Sequence, residues 1–313
     1  MVSETRAPLR AGWRRVAPVV LLAALPWVWF AVRDVLGVVG DVIAIAIPVL
    51  AVSVAVLTLL VSWWWPRALV LGLSALLAGG VAVVGPWVPA DRGAVAAPGV
   101  TIAGANVDNT LGPAAALRAL PADVLVVAEL PPGMDDELAS TYPHRVDNDS
   151  GTPSVGVFSR YPLRVLEGSG PDLPGLRVQV DGPSGPFVLY ALHIPRPWFT
   201  TEGGYQASVS EHFEFAERIA ERVRAETQPT VVVGDLNSTD RGRDYRTLVR
   251  TLDDAMLADW GAPTSVGKWL PLLGRIDHVL VGEGWCGDDP RRTELPGSSH
   301  RAVLATVGPC AQP

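Results

Sequence analysis

Lysine is nearly missing from this chain. Lys268 is the sole lysine among 313 residues, and the remaining basic residues are arginines scattered without aromatic interleaving. The net charge of −7 and the pI near 5.3 give no basic footprint, so tight nonspecific binding of a polyanion is not what the composition favours. Only two cysteines occur, Cys286 and Cys310, too few for a disulfide scaffold. Internal repeats and low-complexity tracts are also absent beyond an apolar N-terminal stretch, which excludes a solenoid. Charge is missing from two long segments, 42–61 and 68–88. Carboxylates, prolines, glycines and histidines concentrate after them, so the chain reads as a membrane part followed by a globular part.

The segments 42–61 and 68–88 are long enough to cross a ~30 Å hydrocarbon layer as helices, and the shorter uncharged run 16–32 is expected to make a third span. No small-residue cleavage site follows that first run, which argues against a removed signal peptide. Trp63, Trp64, Trp65 and Trp87 sit at span ends, where amphipathic rings favour the headgroup zone, and Pro66 breaks the chain between spans. Arg6, Arg10, Arg14 and Arg15 precede the first run, whereas Arg33 is offset by Asp34, so the N-terminus is expected inside. Three crossings would place everything after Val88 outside the cytoplasm, where a bridge between Cys286 and Cys310 can form. The expected divisions are a membrane anchor over 1–88, a linker over 89–99 and a globular domain over 100–313. The linker reaches only about 35 to 40 Å when extended, which would keep the domain near the bilayer surface.

Within the globular part, short apolar runs bounded by turn residues at 100–105, 123–128, 154–158, 187–192, 230–234, 276–281 and 302–307 predict buried strands. Helical patterns at 113–120 and 206–224 complete an α/β sandwich. Polar residues gather at the strand ends. Asn106 closes the first run, and Glu129 follows five apolar residues, where an unpaired carboxylate would be costly and a hard oxygen-seeking cation would relieve the cost. Gly234, Asp235, Leu236 and Asn237 leave the run 230–234, and an extended chain would put Asp235 and Asn237 on one side. A carboxylate there can take a proton from water while an amide orients it; the same residues also cap turns without catalytic duty. His193 follows another apolar run, Asp277 opens one, and His300 precedes the last, so an Asp fixing an imidazole tautomer beside a phosphate is available.

In order, Asn106, Glu129, the segment Ser159, Arg160, Tyr161, Pro162 and Leu163, then His193, the Gly234 to Asn237 motif, Asp277 and the Ser299–His300 pair resemble the endonuclease/exonuclease/phosphatase superfamily. The likeness spans roughly 100–307. It implies a four-layer α/β sandwich, here preceded by three transmembrane helices, and a magnesium-dependent phosphoesterase, manganese being an alternative ion. By the same resemblance Glu129 ligates the metal with Asn106 nearby, Asp235 and Asn237 position the attacking water, His193 and His300 contact the phosphate, and Asp277 orients His300. The sequence departs from the family pattern twice, with Ala128 where Gln is usual and Ser299 where Asp is usual. Loss of that Asp would remove a second metal contact. The apolar N-terminal runs make the chain similar to a membrane-anchored bacterial branch that includes the actinobacterial teicoplanin-resistance membrane proteins, which implies a role in the cell envelope and in antibiotic resistance.

The expected activity is extracytoplasmic hydrolysis of a phosphate ester or pyrophosphate on a membrane lipid carrier, because a tethered enzyme meets lipid headgroups at high effective concentration. An extracytoplasmic nuclease or nucleotide phosphodiesterase is the alternative, which the sparse basic character disfavours. An inactive module that binds an envelope ligand is the other, with Ser299 as its support.

Overall fold

The computed structural model describes residues 9–90, 93–96, 98–148, 153–198, 204–266 and 273–311, with side chains from residue 17 onward except at 266 and 273. Arg6, the side chains of Arg10, Arg14 and Arg15, part of the linker and Lys268 lie outside the described residues. The chain divides into two compact units, Met1–Pro86 and Trp87–Pro313.

The first unit holds α1 (Leu9–Val32), α2 (Val38–Ser62) and α3 (Ala68–Val84). Small residues let α3 approach α2 closely: a Cβ added to Gly72 would stand 2.0 Å from Thr58 Cγ2, and one on Gly79 would stand 2.8 Å from Ala51 Cβ. Their outer faces are apolar and bare, with Leu59 66 % and Val70 70 % exposed. Among the described residues two helical stretches, Val38–Ser62 and Ala68–Trp87, are long and apolar enough to cross a membrane, rather than the three expected. The apolar part of the first helix with described side chains, Ala17–Val32, is shorter. At 1.5 Å per residue it covers about 24 Å, less than a ~30 Å hydrocarbon core.

The second unit is built on strands β1 (Val100–Asn106), β2 (Val124–Ala128), β3 (His144–Asp147), β4 (Val155–Ser159), β5 (Leu163–Glu167), β6 (Gly175–Gly182), β7 (Gly185–His193), β8 (Arg196–Trp198), β9 (Gln206–Ser208), β10 (Thr230–Asp235), β11 (Asp253–Asp254), β12 (Ser265–Val266), β13 (Leu273–Gly274), β14 (Asp277–Val281), β15 (Trp285–Glu294) and β16 (Arg301–Pro309). Its helices are α4 (Ala114–Ala119), α5 (Met134–Leu138), α6 (Val209–Ala225) and α7 (Arg243–Leu248). One six-stranded sheet runs β15-β16-β1-β2-β4-β3 and the other β11-β14-β10-β7-β6-β5.

Strand periodicity sorts the apolar side chains into layers. Ile102, Val124, Val126 and Val157 of the first sheet pack with Val178, Leu189, Val231, Val233 and Val279 of the second. The alternate residues Ala103, Leu125 and Val127 face outward onto Leu117 of α4 and Met134 and Leu138 of α5. On the far side Tyr190, Val232 and Leu280 meet Ala216 and Ile219 of α6 and Leu248 of α7. The result is helix, sheet, sheet, helix. Since both faces of the central strands are covered, their sequences read as unbroken apolar runs. α6 is started by a capping box in which Ser208 Oγ accepts from the Glu211 backbone and Glu211 returns a bond to the Ser208 N–H.

Cys286 of β15 is bonded to Cys310, just beyond β16, with a Cα separation of 4.9 Å. The bridge fastens the start of an edge strand to the end of its neighbour. Gly234 is needed where β10 meets β7: its φ is 142°, and a Cβ would stand 1.9 Å from the Leu192 carbonyl oxygen. Gly234→Ala is expected to cost at least about 3 kcal/mol through strain and overlap with backbone. Chemical unfolding of the full chain followed by tryptophan fluorescence measures it, and a loss below about 1 kcal/mol would contradict this account.

Candidate active site

Strand register assembles half of the site before any side chain is considered. Asp235, the last residue of β10, is paired with His193 on β7 and with Asp277 on β14. Three polar side chains therefore stand abreast on neighbouring strands of the second sheet. In the first sheet Asn106 ends β1 beside Ala128, and Glu129 leaves the sheet at the next residue with φ 53°. His300 immediately precedes β16.

Asn106 joins the two rows. Its Nδ2 donates to Asp235 Oδ2 at 2.9 Å and to Glu129 Oε1 at 3.2 Å, while its Oδ1 accepts from the Asp108 backbone N–H at 3.0 Å. The Asp108 bond decides the amide orientation, because a flipped amide would set two donors against each other. Asn106 thus holds two carboxylates in place while its oxygen is engaged by the Asp108 N–H. Glu129 Oε2 takes a second bond from Asn109 Nδ2 at 2.9 Å. Asp235 Oδ1 accepts from the Asn237 backbone N–H at 2.9 Å.

Asn237 departs from the expected arrangement. Its φ is 47°, so the chain leaves extended geometry at this residue. Its amide instead donates to the Ile194 carbonyl at 2.9 Å and ties the loop after β10 to the loop after β7. The segment Ser159 to Leu163 is distant for a different reason. Ser159 pairs with Val124, the first residue of β2, at the opposite end of that strand from Glu129.

Both active-site imidazoles face Asp235. His193 Nε2 lies 3.9 Å from Asp235 Oδ2 and 3.9 Å from Glu129 Oε1, and His300 Nε2 lies 3.9 Å from Asp235 Oδ2. His300 Nδ1 donates to Asp277 at 3.0 Å. Burial opposes the charge on His300, but Asp277, Asp235 and Asp108 outweigh it and push its pKa up to about 10. His193 goes the other way: burial lowers its pKa despite Asp235, and its Nδ1 is buried without a hydrogen-bond partner. Burial raises the Glu129 pKa; the Asn106 bond opposes that, and Asp108 and Asp235 reinforce it. One imidazolium, one neutral imidazole and several crowded carboxylates occupy a single cleft end.

This donor set suits a hard divalent cation. Ligand atoms of Asp235, Asp277 and His300 lie within 4.8 Å of one another, able to hold one ion. The 3.9 Å gaps around Asp235 are too wide for hydrogen bonds and fit a group placed between the side chains. A proton on His300 Nε2 and a cation bound there exclude each other, so with His300 charged the carboxylate oxygens are what a cation would find. A family model described as the Endonuclease/Exonuclease/phosphatase family matches residues 105–300.

The chain belongs to that family. Fold comparison agrees with the match. An endonuclease/exonuclease/phosphatase from Bacteroides vulgatus is 15 % identical with a TM-score of 0.51, over 67 % of this chain and 99 % of that one. A D. rerio TDP2 humanized by 14 mutations is 14 % identical with a TM-score of 0.52, over 67 % and 99 %. A Beutenbergia cavernae endonuclease/exonuclease/phosphatase is 17 % identical with a TM-score of 0.49, over 68 % and 72 %. At these identities the Bacteroides vulgatus and D. rerio likenesses speak for the fold alone. No curated protein matches the chain. Family, fold and the Asp235, Asp277 and His300 cluster make this a metal-binding enzyme that hydrolyses phosphoester bonds.

Two departures from the family pattern acquire a physical setting. Ala128 is buried between Asn106 and Val155 in the first sheet. Ser299, where the family usually has Asp, donates its backbone N–H to Asp108 Oδ2 at 2.8 Å. Asp108, with φ 50°, therefore brings a carboxylate to this corner from another loop and acts on both Glu129 and His300. Its place two residues beyond a strand-ending Asn was the available sequence signal.

Residues that sequence reasoning missed brace the loops from beneath. His212 of α6 contacts the Pro195 carbonyl at 2.7 Å through Nδ1, and Ser238 Oγ at 3.0 Å and Asp244 at 2.8 Å through Nε2. Burial opposes its charge, but Asp244 and Pro195 raise its pKa above the ordinary value. Fully buried Arg275 donates to Asp254 at 2.7 Å, to Asp240 at 3.2 Å and to the Tyr245 hydroxyl at 2.9 Å, two residues before Asp277. His278 points into this bracing, with Nε2 donating to the Ser238 carbonyl at 3.1 Å. In chelator-treated protein, NMR titration of His300 is expected to give a value near 10, and Asp277→Asn should bring it toward or below 6.5. A wild-type value near 6.5 would contradict the assigned geometry.

Proposed function

We propose that this chain is a membrane-anchored, extracytoplasmic phosphoesterase that uses magnesium, or manganese in its place, to hydrolyse a phosphate ester or pyrophosphate on a membrane lipid carrier of the cell envelope. The observation that carries the chemistry is the Asn106 amide shared between Glu129 and Asp235, which makes one centre from two sheets. Asp235 Oδ2 accepts the proton of the attacking water. Protonated His300, held by Asp277, stabilises charge developing on the phosphoryl oxygens, and His193 donates to the phosphate from the other side of Asp235. Asn237 fixes Asp235 through its backbone N–H and fixes the loop bearing His193 through its amide. Glu129, Asp235 and Asp277 would supply oxygen ligands to the metal, whose charge would neutralise the phosphoryl group.

The lipid part of this reading is supported by the two apolar helices, Val38–Ser62 and Ala68–Trp87. Parity supports a third crossing by α1. Arginines before residue 16 favour an N-terminus inside, and the Cys286–Cys310 bridge favours an oxidising compartment for the second unit, so an odd number of crossings is required. In that case α1, Leu9–Val32, would supply the third crossing.

The test is phosphate release by the full chain from polyprenyl pyrophosphate, phospholipid vesicles and nucleic acid. Release from the lipid pyrophosphate with magnesium, its loss on chelation, and a fall of at least about a thousandfold in Asp235→Ala and Glu129→Ala are expected. Cleavage of nucleic acid alone, with steep salt dependence, would replace the lipid reading by a nuclease. Envelope function that survives both substitutions would make the protein a binding module.

A further inference from the structure

An open groove of about 670 Å³ lies in the second unit, bounded by Val165, Pro171, Leu176, Pro195, Tyr205 and Phe215. Its lining includes Tyr205, which touches His193 of the catalytic centre. Tyr205 packs its ring against His193, with centroids 4.8 Å apart, and donates its hydroxyl to the His193 carbonyl at 2.9 Å. Pro195 stands two residues beyond His193. From there the groove leads across the start of β6 to Val165 on β5, the edge strand of the second sheet.

The walls define the chemistry of the occupant. Among the described residues no lysine or arginine lines the groove, and Asp147 is the single charged side chain in the lining, so a second phosphate or a nucleic-acid backbone would find no counter-charge there. The other polar side chains are already satisfied within the protein. Asn148 donates to the Pro153 carbonyl and to Ser169 and accepts from the Val155 N–H at 2.8 Å. Ser169 donates onward to the Gly175 carbonyl at 2.8 Å. What remains on offer is apolar area, in a volume within the usual range of ligand pockets. Val165 is 48 % exposed there.

We propose that this groove is the subsite for the apolar chain of the alcohol whose phosphate is cleaved, so that substrate selection rests on hydrocarbon contact beside His193. The assignment rests on the phosphoesterase reading and adds to it the class of leaving group. Burial of one methylene is worth about 0.8 kcal/mol, or roughly fourfold in affinity, and a partly open groove captures about half of that energy, or roughly twofold.

The test uses the full chain in amphipol with magnesium, titrated calorimetrically with ethyl-, butyl-, hexyl- and octylphosphonate and with adenosine monophosphate. Dissociation constants are expected to fall roughly two- to fourfold per methylene. Val165→Asp and Val165→Trp, at an exposed edge-strand position, should flatten the series while leaving ethylphosphonate binding unchanged; comparison with wild type in the same amphipol cancels partitioning. A flat wild-type series, no phosphonate binding, or adenosine monophosphate binding more tightly than octylphosphonate would overturn the groove assignment, and Asp235-dependent phosphate release would survive that outcome. An intact chain-length series without phosphate release from any ester would instead remove the hydrolytic reading and leave the groove.

Discussion

The hydrogen bonds from a single amide, Asn106, to Asp235 and Glu129 are the constraint on which the site depends. Asp235 is 2 % exposed, and a carboxylate so buried requires donors or cations around it. It receives the Asn237 backbone N–H from its own sheet and the Asn106 amide from the facing sheet, with His193 and His300 set slightly farther off. Gly104 permits this approach of the sheets, since a Cβ there would stand 2.9 Å from Val233. Packing, register and electrostatics consequently converge at one end of the sandwich.

Such crowding is unfavourable unless its surroundings are rigid. The loops after β7 and β10 are tied by Asn237 to Ile194 and by His212 to both Pro195 and Ser238. Beneath them Arg275 gathers Asp240, Asp254 and Tyr245. Removing one partner from a buried pair of this kind strands a charge, a far larger penalty than loss of a surface pair. Positioning of Asp235 and Asp277 thus depends on groups that never face the cleft.

The central strands were legible because both of their faces are buried. β1, β2, β4, β7, β10, β14 and β16 appear as short apolar runs, and for all of these but β4 the polar residue after or before the run marks where a side chain enters the cleft. β3, β5, β6 and β15 were not legible, for they lie at or next to sheet edges and mix charged with apolar residues. β15 even contains Pro290, tolerated at an edge strand where the register shifts between Asp288 and Arg291. Asp235, Asp277, His193 and His300 could be found from sequence since strand ends fix them. The Asn237 bond to the Ile194 carbonyl was not legible, because a positive φ breaks the alternation of extended chain. His212 was invisible: its partners come from loops that only the fold brings together.

Coordination at the Asn106-linked centre is the claim to test most directly, by anomalous scattering from crystals of the full chain grown with manganese. Density for one cation is expected at the carboxylates of the Asp235, Asp277 and His300 cluster, with the Asn106 amide nitrogen still directed at Asp235 and Glu129. A cation bound elsewhere on the unit, or Asn106 turned to ligate through its oxygen, would contradict it.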